Sequence, residues 1–236
     1  MRKTIQTGIL VSLITIALMA GMALWASLKL PADNIPVHWG IDGTPDRYGG
    51  RAEALFGLWV VPISAFFSAL VFALLPALEP MRDNLIKSRR AYRAIWISTM
   101  VLMFGIHAGL VWLMVSGLDG VQNSNEFVRF VIAGTGLLFL LIGNYLPKTR
   151  QNWFLGIRTP WTLSSEFAWE KTHRLAGRLF MAAGFIAMIG AFVVNGIWLV
   201  AMITSLSVGS ALISIVYSYF AWRSAPDKRV SPDYVV

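Results

Sequence analysis

The chain has no cysteine among its 236 residues, which removes disulfides, thiolate zinc sites, iron–sulfur clusters and cysteine nucleophiles together. Histidine is nearly as scarce: His38, His107 and His173 are the only three, so metal chemistry would rest on these and on carboxylates. No H-E-x-x-H, G-x-S-x-G or P-loop pattern occurs, and no enzyme signature remains. Charge is also thin, at 14% of residues, while 56% are hydrophobic, more apolar surface than one soluble core can hide. The net charge of +8 lies in loops between apolar runs, where Lys and Arg report membrane topology. No direct nucleic-acid contact is expected.

The apolar runs are Thr7–Leu28, Leu55–Leu78, Ala94–Gly117, Phe130–Leu146, Leu179–Val194 and Ile197–Trp222. At about 1.5 Å per helical residue the longer ones span roughly 30 Å of hydrocarbon. The fifth is short and needs Leu175 and Ala176 to complete it. Arg2 and Lys3 precede the first run, but it exceeds the roughly 7–15 residues of a signal-peptide core and lacks a clear A-x-A site. It is therefore expected to be retained. Asn195-Gly196 is a turn signal that makes the last two runs a tight helical hairpin. The expected fold is all-α: a polytopic protein of the cell (inner) membrane with about six transmembrane helices.

Sixteen of the 20 Lys and Arg fall on one side of this six-span layout; Lys29, Arg47, Arg51 and Arg129 make up the other. Basic residues are retained in the cytoplasm during insertion, so both termini are expected there. Two connections are too long to be simple turns. Loop 29–54, expected outside, carries Pro36, His38, Trp39, Gly43, Pro45 and Asp46; its prolines and glycines predict an extended segment with bends. Its aromatics either form a recognition surface or anchor the loop among headgroups. Loop 144–178, expected inside, is dense in Asn, Arg, Trp and Pro. Ser164 or Ser165 is placed to cap a helix with Glu166 in its first turn, running through His173 into the fifth span. Glu166, Glu170, His173, Arg174 and Gly177 would share one face of it, either gripping a ligand or forming ordinary i,i+3 and i,i+4 pairs.

Within the second loop, Asn144, Pro147-Lys148, Asn152, Gly156, Arg158-Thr159-Pro160-Trp161, Trp169-Glu170 and His173-Arg174 stand in an order that resembles the signature of the SdpI family of bacterial membrane proteins. Pro36-x-His38-Trp39 and Gly43-x-Pro45-Asp46 resemble a short domain of uncharacterised function that precedes this signature in longer family members. The resemblance implies an immunity protein that protects against a secreted peptide toxin and signals through a cytoplasmic transcriptional repressor. It implies no catalytic residues, metal or cofactor. It divides the chain into an N-terminal membrane region, 1–78, and an SdpI-like region, 79–236.

Three readings compete at particular residues. Arg158 has the planar fork suited to a carboxylate, with Glu166 or Glu170 as the expected partner. Glu170-x-x-His173 has the spacing of a metal-ligand pair, though such sites need further helices of the same kind. A small-molecule or ion transporter is the alternative function; it would rest on His107, the clear ionisable residue inside a span, and on Pro62 and Pro76 as helix interruptions. His107 lies within Gly105-x-x-x-Gly109 and, at about 100° per residue, points away from that glycine seam. A hydrogen-bonded packing role is the reading favoured for it over a proton relay.

Overall fold

The computed structural model describes residues 1–40, 44–116 and 124–227. Six helices in it are long and apolar enough to cross a membrane. They are α1 (Arg2–Lys29), α2 (Arg51–Leu78), α4 (Arg89–Val115), α5 (Ser124–Tyr145), α7 (Glu166–Val193) and α8 (Ile197–Arg223). Two short helices, α3 (Arg82–Lys87) and α6 (Pro160–Leu163), lie in connections, and β1 (Ile35–Trp39) pairs antiparallel with β2 (Pro45–Gly49) between the first two spans. The chain is thus a multi-pass membrane protein. Most helices outrun their apolar segments because polar residues at the ends, Glu166 to Arg178 above all, continue the helix beyond the hydrocarbon-matched run. α2 passes unbroken through Pro62 and Pro76, so neither interrupts a span. Gly196, at φ +57°, makes the turn between α7 and α8.

The spans pack as two groups of three. α1, α2 and α4 enclose two apolar clusters, one around Ala26, Ile35, Leu58 and Met114 under the β-ribbon, the other around Met19, Leu85, Trp96 and Met100. α5, α7 and α8 enclose a third around Ile132, Ala187, Ala191 and Leu199. In the first group Trp96 lies where a side chain on Gly8 would stand and donates its indole N–H to Ser12 Oγ at 2.9 Å. His107 faces α1, its Nε2 3.0 Å from the Met19 carbonyl, while Gly105 and Gly109 face Phe130 and Phe127 of α5. The histidine therefore packs against α1, on the face opposite the glycine seam.

α5 and α7 are the most intimate pair. A Cβ on Gly143 would stand 2.6 Å from the Gly177 carbonyl oxygen, and one on Gly184 would stand 2.4 Å from that of Gly136. The glycines are seven residues apart on both helices, so one antiparallel register brings both pairs together. Phe139 and Phe180 meet edge to face between them, centroids 5.4 Å apart.

Candidate functional site: the loop between the fourth and fifth spans

Between α5 and α7 the chain folds into a block whose polar groups bond mainly to one another. It leaves α5 through a 3-10 turn, Leu146–Lys148, which Thr149 closes with its hydroxyl on the Leu146 carbonyl at 2.7 Å. Asn152 is fully buried. Its Oδ1 accepts the N–H groups of Phe154 (3.0 Å) and Leu155 (2.6 Å), and its Nδ2 donates to the carbonyls of Arg150 (2.7 Å) and Leu155 (3.2 Å). A buried amide with every group satisfied fixes a turn strongly, because an apolar side chain would strand the backbone donors and an aspartate could not donate to the two carbonyls.

That turn leads to Gly156, whose φ of +116° suits only glycine; a Cβ there would lie 2.2 Å from His173 Nε2. His173 Nε2 accepts the Ile157 N–H at 3.0 Å, and Nδ1 lies 2.8 Å from the Trp169 carbonyl, which only a donor can satisfy. His173 is therefore the neutral Nδ1–H tautomer, stacked 4.0 Å from the Trp169 ring. Trp169 in turn donates its indole N–H to the Thr149 carbonyl at 3.1 Å. Thr159 and Thr162 form a capping box that starts α6 at Pro160, and Thr159 Oγ1 reaches Ser218 of α8 at 3.0 Å. Trp161 packs edge-on against Tyr219 of the same helix. Ser165 caps α7, accepting the Ala168 N–H at 3.0 Å and donating to Asp227 just beyond α8 at 2.6 Å.

The block is also tied to the first group of helices. Glu79, at the end of α2 and 1% exposed, accepts the N–H groups of Met81 (2.9 Å) and Trp153 (3.0 Å). Asn84 donates to the Gln151 carbonyl at 2.9 Å, and the Arg150 N–H donates to Ser88 Oγ at 2.9 Å. Glu79, Asn84, Ser88, Gln151 and Ser218 are residues that the sequence reading passed over. Glu79 alone carried a signal: a carboxylate at a helix C-terminus opposes the helix dipole and needs donors to hold it.

The outer surface is basic and separate from this interior. Asn144, Pro147, Lys148, Arg158, Pro160 and Arg174 are exposed. Lys148 donates to Asn144 Oδ1 at 2.8 Å, and Glu170 pairs with Arg150 at 2.9 Å and Arg174 at 3.4 Å. Arg158 meets no carboxylate among the described residues; it donates to the Trp153 carbonyl at 2.7 Å, which corrects the expected pair with Glu166 or Glu170. Nor do Glu170 and His173 act together. The helix turns His173 inward, where hydrogen bonds use both ring nitrogens, and leaves Glu170 and Arg174 on the outer face.

At the opposite end of the bundle, the first loop is the β-ribbon. Trp39 faces Pro45 and packs on the cluster beneath, Pro36 is buried, and His38 Nδ1 lies 2.6 Å from Asp46 Oδ1 on the exposed side. The expected extended segment is thus a two-stranded hairpin; Gly43 lies outside the described residues.

Residues 148–218 match the SdpI/YfhL protein family, and residues 14–63 match a domain of unknown function, DUF1648. The first match covers most of the loop block, α7 and most of α8; the second covers the ribbon and the helix segments flanking it. The chain is also similar to a protein named Immunity protein SdpI from Bacillus subtilis (strain 168), at 29% identity over 96 residues, 41% of this chain. The aligned stretch spans 46% of that relative's length. No solved structure matches.

Proposed function

We propose that this chain is a membrane immunity protein that protects its cell against a secreted, membrane-active peptide. One observation carries the reading: the stretch that matches the SdpI/YfhL family contains the buried, hydrogen-bonded turn built on Asn152, Gly156 and His173. In this reading both termini and the block lie in the cytoplasm, following the bias of Lys and Arg, and the β-ribbon faces outward to meet the peptide first. The exposed cations Lys148, Arg150, Arg158 and Arg174 form the surface on which a cytoplasmic repressor would be held. The protein acts without catalysis, and the buried block transmits the state of the spans to that surface.

The test is survival. A strain lacking the gene, its parent and a complemented strain are challenged with medium from stationary-phase siblings grown under several conditions. Death of the deletion strain alone, with rescue by the intact gene, supports the reading. Equal survival of all three under every condition refutes it.

A further inference from the structure

A groove of about 570 Å³ runs along the junction of the two helix groups, between α4 and α5. On α4 it extends from Arg90 to Gly105 and on α5 from Tyr145 to Phe130, which at about 1.5 Å per residue is about 22 Å on each helix. That is more than half of the roughly 30 Å hydrocarbon core, the depth of one leaflet with some to spare.

Small residues open it: Ala94, Ser98 and Gly105 on one wall, Gly134 on the other. The Ser98 hydroxyl is turned back onto the Ala94 and Ile95 carbonyls, so the wall it belongs to stays apolar. The Phe130 ring, 3.2 Å from where a Gly105 Cβ would be, closes the far end. The near end is cationic. Arg90 and Arg93, one helical turn apart, stand at its mouth; both are exposed, and neither makes an ion pair or hydrogen bond among the described residues. A second cleft adjoins them and adds Lys87, Arg89 and Lys148. No carboxylate lines either space.

An apolar slot one leaflet deep, rimmed by unpaired cations at headgroup level, has the shape and charge order of a phospholipid. We infer that this groove binds one anionic phospholipid, an acyl chain lying between α4 and α5 and the phosphate held by Arg90 and Arg93. Guanidinium groups suit the phosphate because they donate in pairs. The lipid would fill the seam where the two helix groups meet. The assignment does not depend on the immunity reading or on which leaflet the rim faces.

The full chain is purified in detergent, mixed with equal amounts of phosphatidylglycerol and phosphatidylcholine, and retained lipid is counted by native mass spectrometry. Wild-type protein is expected to keep one phosphatidylglycerol per chain, preferred over phosphatidylcholine about tenfold or more. Arg90→Gln/Arg93→Gln brings that preference close to parity, whereas Arg178→Gln/Arg223→Gln, which removes two exposed cations away from the groove, leaves it intact. Ser98→Leu, which fills the slot and spares the rim, lowers occupancy by both lipids. Each variant is compared only when its circular dichroism and elution volume match wild type. Inorganic phosphate alone does not displace the lipid. Equal retention of both lipids by wild type, or equal loss in the two double variants, would mean ordinary boundary lipid and would overturn the assignment.

Discussion

The buried Glu79 carboxylate and the Trp153 backbone N–H, 74 residues apart in the chain, meet at 3.0 Å. This bond fastens the end of the second span to the loop block, and with it one helix group to the other. Glu79→Ala leaves two N–H groups short of an acceptor and is expected to cost about 1–3 kcal/mol. Glu79→Gln keeps one oxygen and should cost less. Thermal scans of the purified variants test that order, and equal midpoints for Glu79→Ala and wild type would count against the joint.

Gly156 and His173 form the second fixed point. Gly156→Ala meets both a backbone conformation worth about 1–3 kcal/mol of strain and the His173 ring in its path. The loop should loosen and trypsin should cut faster after Arg150 and Arg158. Gly156→Ala/His173→Ala removes the collision but also the acceptor of the Ile157 N–H and the ring stacked on Trp169, so wild-type protection should not return. Full recovery would show that the backbone conformation matters little.

The first two spans and the hairpin between the last two were legible because long apolar runs and an Asn-Gly turn are local signals. The loop block was legible only as a set of residues. Asn152, Gly156 and His173 stand out by type, yet their bonds join positions 2 to 16 residues apart, and those of His173 depend on how α7 is rotated. That rotation separates His173 from Glu170 and gives Glu170 to Arg150, so spacing alone mispaired Arg158. Glu79 and Ser218 contribute from distant segments; Glu79 shows locally only that it needs donors, not which ones, and Ser218 announces nothing. The glycines of α5 and α7 were readable as two heptad pairs, but their significance appears only when the helices are laid side by side.

Gly184→Ala tests that contact. The added methyl would press on the Gly136 carbonyl, a backbone atom that cannot step aside, so the variant should give lower yield and a broader elution peak. Gly209→Ala has open space around its new Cβ and serves as the comparison. Matching behaviour of the two would mean that α5 and α7 yield easily.

Asp227 offers a pH test. A hydrogen bond from the Ser165 hydroxyl is the main cause holding its carboxyl below the usual carboxylate range. A folded-state value below the unfolded one stabilises the fold above the unfolded value, and the gain disappears as pH falls through the folded value. The carboxylate is exposed, so the effect is small. Wild type should therefore melt slightly above Asp227→Asn at neutral pH, with the gap closing in acid. A gap independent of pH would remove the carboxylate from the account.

The paired glycines limit how the fourth and fifth spans can move. A piston stroke of one helical turn, about 5.4 Å, would carry side chains such as those of Leu140 and Phe180 toward the places now occupied by hydrogen atoms. The two helices cannot slide past one another without first parting. The pair is therefore built to keep its register, the loop block at one end holding its height relative to the far ends of both helices.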